Sequence, residues 1–279
     1  MAAPDPARLT ARLARLVAFR TENPPGDEAE AARFLGDELS GHGFAVDYLE
    51  VAPGRLDVVA THENGPGRSL AFNSHLDVVP AGGGWSADPF GLREDGGRLI
   101  GRGACDAKGS VAAMVEAGAP LGGERGRLTV VFVADEEIGS TGAKAFAATR
   151  PAVDRIVVGE PTELVTVSAH KGCLRPRIRV AGRSAHSGRP ELGDNAIVKA
   201  ARLVARLAQE DARLRAMVHP LVGPASLSLT RIAGGLADNM IPAACELTID
   251  RRMLPGESAT TVEGEIRALL DRAPAEDGI

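Results

Sequence analysis

Residues 73–109 read NSHLDVVPAGGGWSADPFGLREDGGRLIGRGACDAKG, and this stretch decides the fold that we predict for the chain. Its first residues continue the apolar run SLAF, which predicts a strand that ends at His75 and Asp77. Residues two apart on a strand project from the same face. We therefore expect this imidazole and this carboxylate side by side where the strand leaves the sheet.

More acidic residues follow the ends of other predicted strands. Asp106 stands in a turn after a short strand at residues 98–101, and Glu160 follows the strand RIVVG. The run Asp135–Glu137 comes directly after the apolar strand LTVVFVA. In an open α/β sheet, ligands bind at the edge formed by the carboxyl ends of the strands. The pattern predicts one histidine and several carboxylates at that edge.

Carboxylates that converge without a partner repel each other and raise each other's pKa. A divalent cation removes this cost. A histidine followed two residues later by an aspartate suits a metal ligand whose second ring nitrogen is held by a carboxylate. Mixed nitrogen and oxygen ligands are typical of zinc, and cobalt or manganese stay open as alternatives.

These residues resemble the M20 family of metallohydrolases, which includes acetylornithine deacetylase, succinyl-diaminopimelate desuccinylase, aminoacylase and glutamate carboxypeptidase. The resemblance spans almost the whole chain. It rests on these motifs: HLDVVP (75–80), GRGACDAKG (101–109), DEEIGS (135–140), GEPT (159–162), AHSGRP (185–190), LGDNAI (192–197) and DRRMLPGE (250–257).

The resemblance implies two divalent metal ions and a role for each acidic residue. The implied ligands are His75 and Glu160 for one ion, Asp106 as a bridge between both ions, and Glu137 for the second ion. Glu136 would be the general base, and Asp77 would orient His75. The peptide bond that follows Asp106 would be cis.

A second group of implied site residues lies in the last third of the chain. His186, in GRSAHSGRP, would stabilise the tetrahedral oxyanion in the partner subunit's site. Asn239, in GGLADNMIP, and Arg252, in DRRMLPGE, would bind the carboxylate or carbonyl of the substrate. Arginine suits this task because its planar fork meets a carboxylate with two charge-assisted hydrogen bonds.

The order of predicted elements indicates an α/β protein with two domains. Residues 1–169 alternate strands and helices, which predicts a mostly parallel mixed sheet with helices on both faces, similar to that of zinc exopeptidases. Residues 170–279 read β, α, β, β, α, which is an α+β ferredoxin-like unit without its last strand. By the resemblance, this second part is an inserted lid and dimerisation domain.

The chain departs from the family pattern in one respect. The family's second metal also takes a histidine from the C-terminal part of the catalytic domain. After Glu160 the histidines are His170, His186 and His219, all in or near the lid. We therefore expect the ligands of the first metal to be complete and those of the second to be incomplete, as in a family member that lacks its last segment.

Composition excludes several other classes of protein. The 279 residues carry a net charge of -5, which gives no basic surface for nucleic acid. The three cysteines, Cys105, Cys173 and Cys245, show no metal or disulfide spacing. The N-terminus does not read as a signal peptide, and no apolar run reaches membrane-spanning length. We expect a soluble, cytoplasmic protein.

The predicted function is a metal-dependent amidohydrolase that removes the acyl group of an N-acyl amino acid, as acetylornithine deacetylase and succinyl-diaminopimelate desuccinylase do. A metal-activated water would attack the amide carbonyl. The partners would be a small N-acyl amino acid or a short peptide, and a second copy of the chain bound through the lid. Two alternatives stay open: a metallo-exopeptidase or dipeptidase of the same family, and a catalytically silent fragment.

Overall fold

The computed structural model describes residues 4–121, 125–149 and 152–271. The chain divides into two compact units between Val165 and Thr166. Each unit has its own cluster of buried apolar side chains, and each is described by itself.

The first unit contains four helices and seven strands among its described residues. In chain order they are α1 (Pro6–Ala18), α2 (Ala29–Gly41), β1 (Ala45–Ala52), β2 (Arg55–Asn64), β3 (Ser69–His75), β4 (Arg93–Asp95), β5 (Arg98–Ile100), α3 (Lys108–Leu121), β6 (Gly126–Val133), α4 (Thr141–Ala148) and β7 (Arg155–Val158).

Five of these strands form one sheet in the order β1-β2-β6-β3-β7. The pairs β3·β6 and β3·β7 are parallel, whereas β1·β2 and β2·β6 are antiparallel. The sheet is therefore mixed, as expected, but only two of its four strand pairs are parallel, so the sheet is not mostly parallel. The physical reason is the short turn between β1 and β2, because two residues can join only antiparallel neighbours.

Helices cover both faces of this sheet. The β2 side chains of Val58 and Ala60 belong to the same apolar core as Leu35 of α2. Asp57 alternates with them and so points to the opposite face, where the main-chain N–H of Ala134 donates to its Oδ1 at 2.8 Å. Helix α4 begins on this second face, and its Gly142 lies so close to Asp57 that a Cβ would clash.

The second unit is an antiparallel sheet with two long helices. Its elements are β8 (Gly172–Leu174), β9 (Arg177–Ala181), β10 (Ala185–His186), a 3-10 turn (Pro190–Leu192), α5 (Ala196–Arg215), β11 (Val218–His219), β12 (Gly223–Pro224), β13 (Ser226–Gly234), β14 (Met240–Ile241), β15 (Ala244–Met253) and α6 (Ala259–Asp271). The central strand β15 pairs with β13 on one side and with β8 and β9 on the other.

Two details of the second unit differ from the sequence-based expectation. The alternating run 173–181 predicts one strand, but β8 and β9 are separate because Pro176 has no N–H for the ladder. On the strand face opposite to that of Arg252, the sequence predicts a surface charge at Arg251. Instead, Arg251 is almost fully buried, and its Nη2 donates to Glu257 Oε1 at 2.6 Å.

Within the described ranges, no helix combines the length and the apolar composition needed to cross a bilayer.

A buried ion-pair cluster joins the three helices on one face of the first unit. Glu116 of α3 accepts from Arg8 Nε at 2.9 Å and from Arg12 Nη1 at 3.0 Å, both on α1. Arg12 also donates from Nε to Glu38 of α2 at 2.7 Å. Glu116 and Arg12 are buried. The hydrogen bond from Arg8, assisted by that from Arg12, lowers the pKa of Glu116 to about 2.

We predict that Glu116→Gln lowers the free energy of unfolding by roughly 2 kcal/mol at pH 7, because two charge-assisted hydrogen bonds weaken. Glu116 has a folded pKa below its ordinary value of 4.5. The stabilisation is therefore present above about pH 4.5 and disappears as the pH falls toward 2. Urea denaturation at pH 7 and pH 3 measures this difference.

The matched control is Asp95→Asn, which removes an exposed carboxylate paired with Arg93. It should change the free energy of unfolding by less than about 0.5 kcal/mol at either pH. If Glu116→Gln were as mild as this control at pH 7, the cluster would not stabilise the helix contacts.

Candidate metal centre

His75 lies at the carboxyl end of β3, between the parallel strands β6 and β7. Its Nδ1 is 2.9 Å from the main-chain oxygen of Asp77. A carbonyl oxygen only accepts, so Nδ1 carries the proton and Nε2 is directed to the other side. There, Nε2 is 3.1 Å from Asp106 Oδ1 and 3.8 Å from Glu160 Oε1.

The three residues His75, Asp106 and Glu160 form a group with the composition of a metal site. Each offers one ligand atom, and these atoms lie within 4.8 Å of one another. His75 is buried, Glu160 is partly buried, and Asp106 is exposed. The Asp106–Ala107 peptide bond is cis. The structure thus brings to the histidine two carboxylates that lie 31 and 85 residues after it in the sequence.

Neighbouring backbone contacts fix the position of Glu160. The main-chain N–H of Gly159 donates to Asn73 O at 2.7 Å, which extends the β3·β7 pairing by one residue. The hydroxyl of Ser74 donates to Gly159 O at 2.8 Å. Strand β3 therefore positions both His75 at its own end and Glu160 just after the adjacent strand β7.

Asp77 holds the acidic turn that follows β6. Its carboxylate is fully buried and accepts from the main-chain N–H of Glu136 at 3.0 Å and of Glu137 at 3.1 Å. The same carboxylate lies 3.5 Å from His75 Nδ1. Burial opposes its ionisation, but hydrogen bonds from His75, Asn23 and the turn outweigh burial and lower the pKa of Asp77.

The two glutamates of the turn have different surroundings. Glu136 is exposed, whereas Glu137 is partly buried and accepts from Val79 N–H at 3.2 Å. Burial, and then the negative charge of Asp106, raise the pKa of Glu137. The charge of Asp106 therefore acts on Glu137. Glu137 is not, however, one of the three residues whose ligand atoms lie within 4.8 Å of one another.

The charges of the cluster fit a bound cation. Burial and nearby carboxylates, Asp106 foremost, raise the pKa of Glu160 to about 7. Burial opposes a charged imidazole, yet hydrogen bonds to Asp106 and Asp77 raise the pKa of His75 to about 11. Both shifts mean that the site favours added positive charge. Two carboxylates and one imidazole are also donors that zinc accepts.

The other predicted site residues belong to the second unit. His186 and Asn239 lie close together there: β10 pairs with β14, and Ser187 N–H donates to Asn239 O at 2.9 Å. Both side chains are exposed. Gly188 N–H donates to His186 Nδ1 at 3.0 Å, so the neutral ring carries its proton on Nε2.

Arg252 is exposed on β15, and its Nε donates to Asp250 Oδ1 at 2.7 Å. Asp250 also accepts from Arg175 Nε at 2.9 Å. A substrate carboxylate would therefore have to compete with Asp250 for the Arg252 guanidinium.

Sequence reasoning missed a buried polar network beneath the acidic turn. Asn23 Nδ2 donates to Asp77 at 2.8 Å and to Asp135 at 2.9 Å. Arg55 Nη1 donates to Asp135 at 3.1 Å, and Arg55 also pairs with buried Glu28 at 2.6 Å. The segment TENPPGDE reads only as a turn and a helix start, so no local signal marks Asn23 or Glu28.

Lys108, the first residue of α3, also makes a hydrogen bond that the sequence does not predict. A cation at a helix start is unfavourable to the helix dipole, so we expected a carboxylate partner. Lys108 Nζ instead donates to the main-chain oxygen of Phe19 at 2.8 Å. Burial lowers the pKa of Lys108 to about 7. Cys105 is exposed, although the sequence predicts that it is buried.

Comparison with known proteins gives one consistent family. Residues 71–270 match the family model described as peptidase family M20/M25/M40. The chain is 35% identical over 265 residues to acetylornithine deacetylase of Vibrio vulnificus, covering 92% of this chain and 70% of the relative. It is 36% identical over 266 residues to acetylornithine deacetylase of Myxococcus xanthus, covering 89% and 68%. The chain thus spans about two thirds of the length of these relatives.

Solved structures share the fold. The M20 family metallo-carboxypeptidase Sso-CP2 from Sulfolobus solfataricus matches with a TM-score of 0.78 at 17% identity, covering 95% of this chain and 75% of that protein. The dipeptidase Dug1p from Saccharomyces cerevisiae matches with a TM-score of 0.77 at 16% identity, covering 97% and 74%. At these identities the matches establish the fold alone.

We predict that the protein binds zinc through His75 and that His75→Ala weakens this binding at least about 100-fold, because one of three clustered ligands is lost. Isothermal titration of metal-depleted protein with zinc chloride measures the affinity. His62→Ala is the control, because His62 contacts the ring of Phe44 and lies outside the cluster. Equal zinc affinity in wild type and His75→Ala would exclude this centre.

Proposed function

Because the chain belongs to peptidase family M20/M25/M40, we propose that it is a metal-dependent amidohydrolase that removes the acyl group from an N-acyl amino acid. The observation that carries the proposal is the convergence of His75, Asp106 and Glu160 beside an exposed glutamate, Glu136. The curated relatives at 35 and 36% identity, which are acetylornithine deacetylases, favour an acyl-amino acid substrate.

The proposed site takes two divalent ions, with zinc preferred and cobalt or manganese as alternatives. His75 and Glu160 would hold the first ion, Asp106 would bridge, and Glu137 would hold the second. Bound there, the ions would polarise the amide carbonyl and lower the pKa of water. Among the described residues, His75 is the one histidine of this cluster. We therefore expect the second ion to bind more weakly than the first.

Glu136 is the proposed general base. Its main-chain N–H donates to buried Asp77, while the residue itself is exposed. Glu136 would take one proton from the attacking water as the new C–O bond forms. It would then deliver that proton to the amine as the C–N bond breaks, so that the products are a carboxylic acid and a free amino acid.

The second unit would serve as the lid. His186 would donate from Nε2–H to the oxygen that gains negative charge, in the site of a partner copy. Its tautomer supports this role, because Gly188 N–H already occupies Nδ1. Asn239, on the loop that adjoins His186, and Arg252 would bind the polar groups of the substrate.

We predict that wild-type protein supplied with zinc or cobalt hydrolyses N-acetylornithine and that Glu136→Gln lowers kcat by about 10²–10⁴-fold, because the proton acceptor is lost. The variant should bind zinc as wild type does. Release of the free amine, measured with a ninhydrin-type assay, gives the rate. Glu94→Gln, an exposed change on β4, is the matched control and should leave kcat unchanged.

The same assay separates the alternatives. A kcat/KM for a dipeptide that exceeded the value for N-acetylornithine would identify an exopeptidase and contradict the deacylase proposal. Zinc binding without hydrolysis of either substrate would identify a silent metal-binding chain.

We also propose a homodimer formed by the second unit. Among the described strands, β13 pairs only with β15, so its other edge is open. Ile232 on β13 and Leu236 just beyond it are 53 and 92% exposed. An open edge strand with exposed apolar side chains readily pairs with another chain.

We predict that wild type sediments as a dimer and that Ile232→Lys shifts it toward monomer, because a charge on the open edge disfavours strand pairing. Sedimentation velocity at two protein concentrations measures the assembly. Val157→Lys is the control, because Val157 is an equally exposed apolar residue in the first unit. If the dimer persists in Ile232→Lys but dissociates in Val157→Lys, the interface lies in the first unit and the proposal is wrong.

A further inference from the structure

A buried segment between α1 and α2 runs beside the residues that follow β3. The N–H of Asn23 donates to Val78 O at 2.8 Å, and the N–H of Val78 donates to Thr21 O at 3.0 Å. The Thr21 hydroxyl donates to Leu76 O at 2.6 Å. Thr21 and Asn23 are almost fully buried. The segment is therefore held against the backbone on both sides of Asp77.

The side chain of Asn23 joins two carboxylates. Its Nδ2 donates to Asp77 Oδ2 at 2.8 Å and to Asp135 Oδ1 at 2.9 Å, which uses both amide hydrogens. Asp77 and Asp135 are both buried. Asp135 is also the first residue of the acidic turn, where it adopts a left-handed conformation at φ 64°.

The chemistry of an amide suits this position. Two buried carboxylates repel each other unless donors lie between them. A primary amide supplies two donors without a charge. A lysine or arginine would also join the carboxylates, but its positive charge would reduce the attraction of the neighbouring cluster for a metal ion. Arg55 already places one positive charge on Asp135, and a neutral double donor between Asp77 and Asp135 adds no second one.

We propose that Asn23 is a positioning residue that sets the acidic turn. Its amide fixes Asp77 and Asp135, and Asp77 in turn fixes the main chain of Glu136 and Glu137. Asn23 would thereby place one carboxylate for proton transfer and one for metal binding while it contacts neither substrate nor metal. The roles of the two glutamates rest on the proposed function, whereas the contacts of Asn23 do not.

The test is Asn23→Leu, because leucine has nearly the same branched shape and removes both donors without adding charge. We expect the zinc affinity of the full chain to fall about 10–100-fold, as for other residues that orient metal ligands. We expect the absorption bands of the cobalt-loaded variant to shift, because the ligand geometry changes. With N-acetylornithine, kcat should fall about tenfold or more while KM stays within about threefold.

Thr21→Val is the matched control. It is also a nearly isosteric change that removes a buried hydrogen bond from the same segment, but Thr21 contacts neither Asp77 nor Asp135 through its side chain. Both variants should lower the melting temperature of the metal-free protein. Thr21→Val should bind zinc within about twofold of wild type and keep the cobalt spectrum of wild type.

The outcomes are distinct. Wild-type zinc affinity in Asn23→Leu, or equal losses in both variants, would overturn the positioning role, and so would a wild type that binds no zinc. Zinc binding that depends on Asn23, in a protein that hydrolyses no acyl-amino acid, would uphold the positioning role and reject the proposed function. If Asn23→Leu does not fold, Asn23→Ser, which keeps one shorter donor, must bind zinc at least about fivefold more weakly.

Discussion

The buried carboxylate of Asp77 is the contact on which the rest of the site depends. It accepts from two consecutive main-chain N–H groups of the acidic turn and lies beside the His75 ring. One side chain thus ties the end of β3 to the loop after β6. A buried charge is tolerated only when its hydrogen bonds are satisfied, so the fold must supply these donors.

The site accumulates negative charge that the protein itself only partly offsets. Asn23 and Arg55 supply donors on the buried side, beneath the turn. On the open side, Asp106 and Glu160 converge on Nε2 of His75. Burial, and then the negative charges of Asp106 and the two glutamates of the turn, raise the pKa of Glu160 to about 7 against the opposing charge of His75. A cation bound at the open side would complete the electrostatic balance.

Much of the fold could be predicted because its signals are local. Apolar runs followed by acids marked β3, β6 and β7, and helical spacing marked α1 and α2. The large share of antiparallel pairs in the mixed sheet was not predicted, because strand direction depends on which strands become neighbours. Arg251 was also not predicted to be buried, because its partner Glu257 lies across a turn that alternation along one strand does not describe.

The sequence by itself determined which donors exist and that each follows a strand, since periodicity and turn chemistry act over a few residues. Only the tertiary structure decided which donors meet. Asp106 approaches His75 across 31 residues, and Asn23 reaches Asp135 across 112. The parallel pairing of β3 with β6 and β7 brings His75 and the acids that follow those two strands to one edge of the sheet. Asp106 and Asn23 reach that edge from segments outside the sheet, and Asn23 is held there because buried carboxylates require donors, wherever in the chain those donors lie.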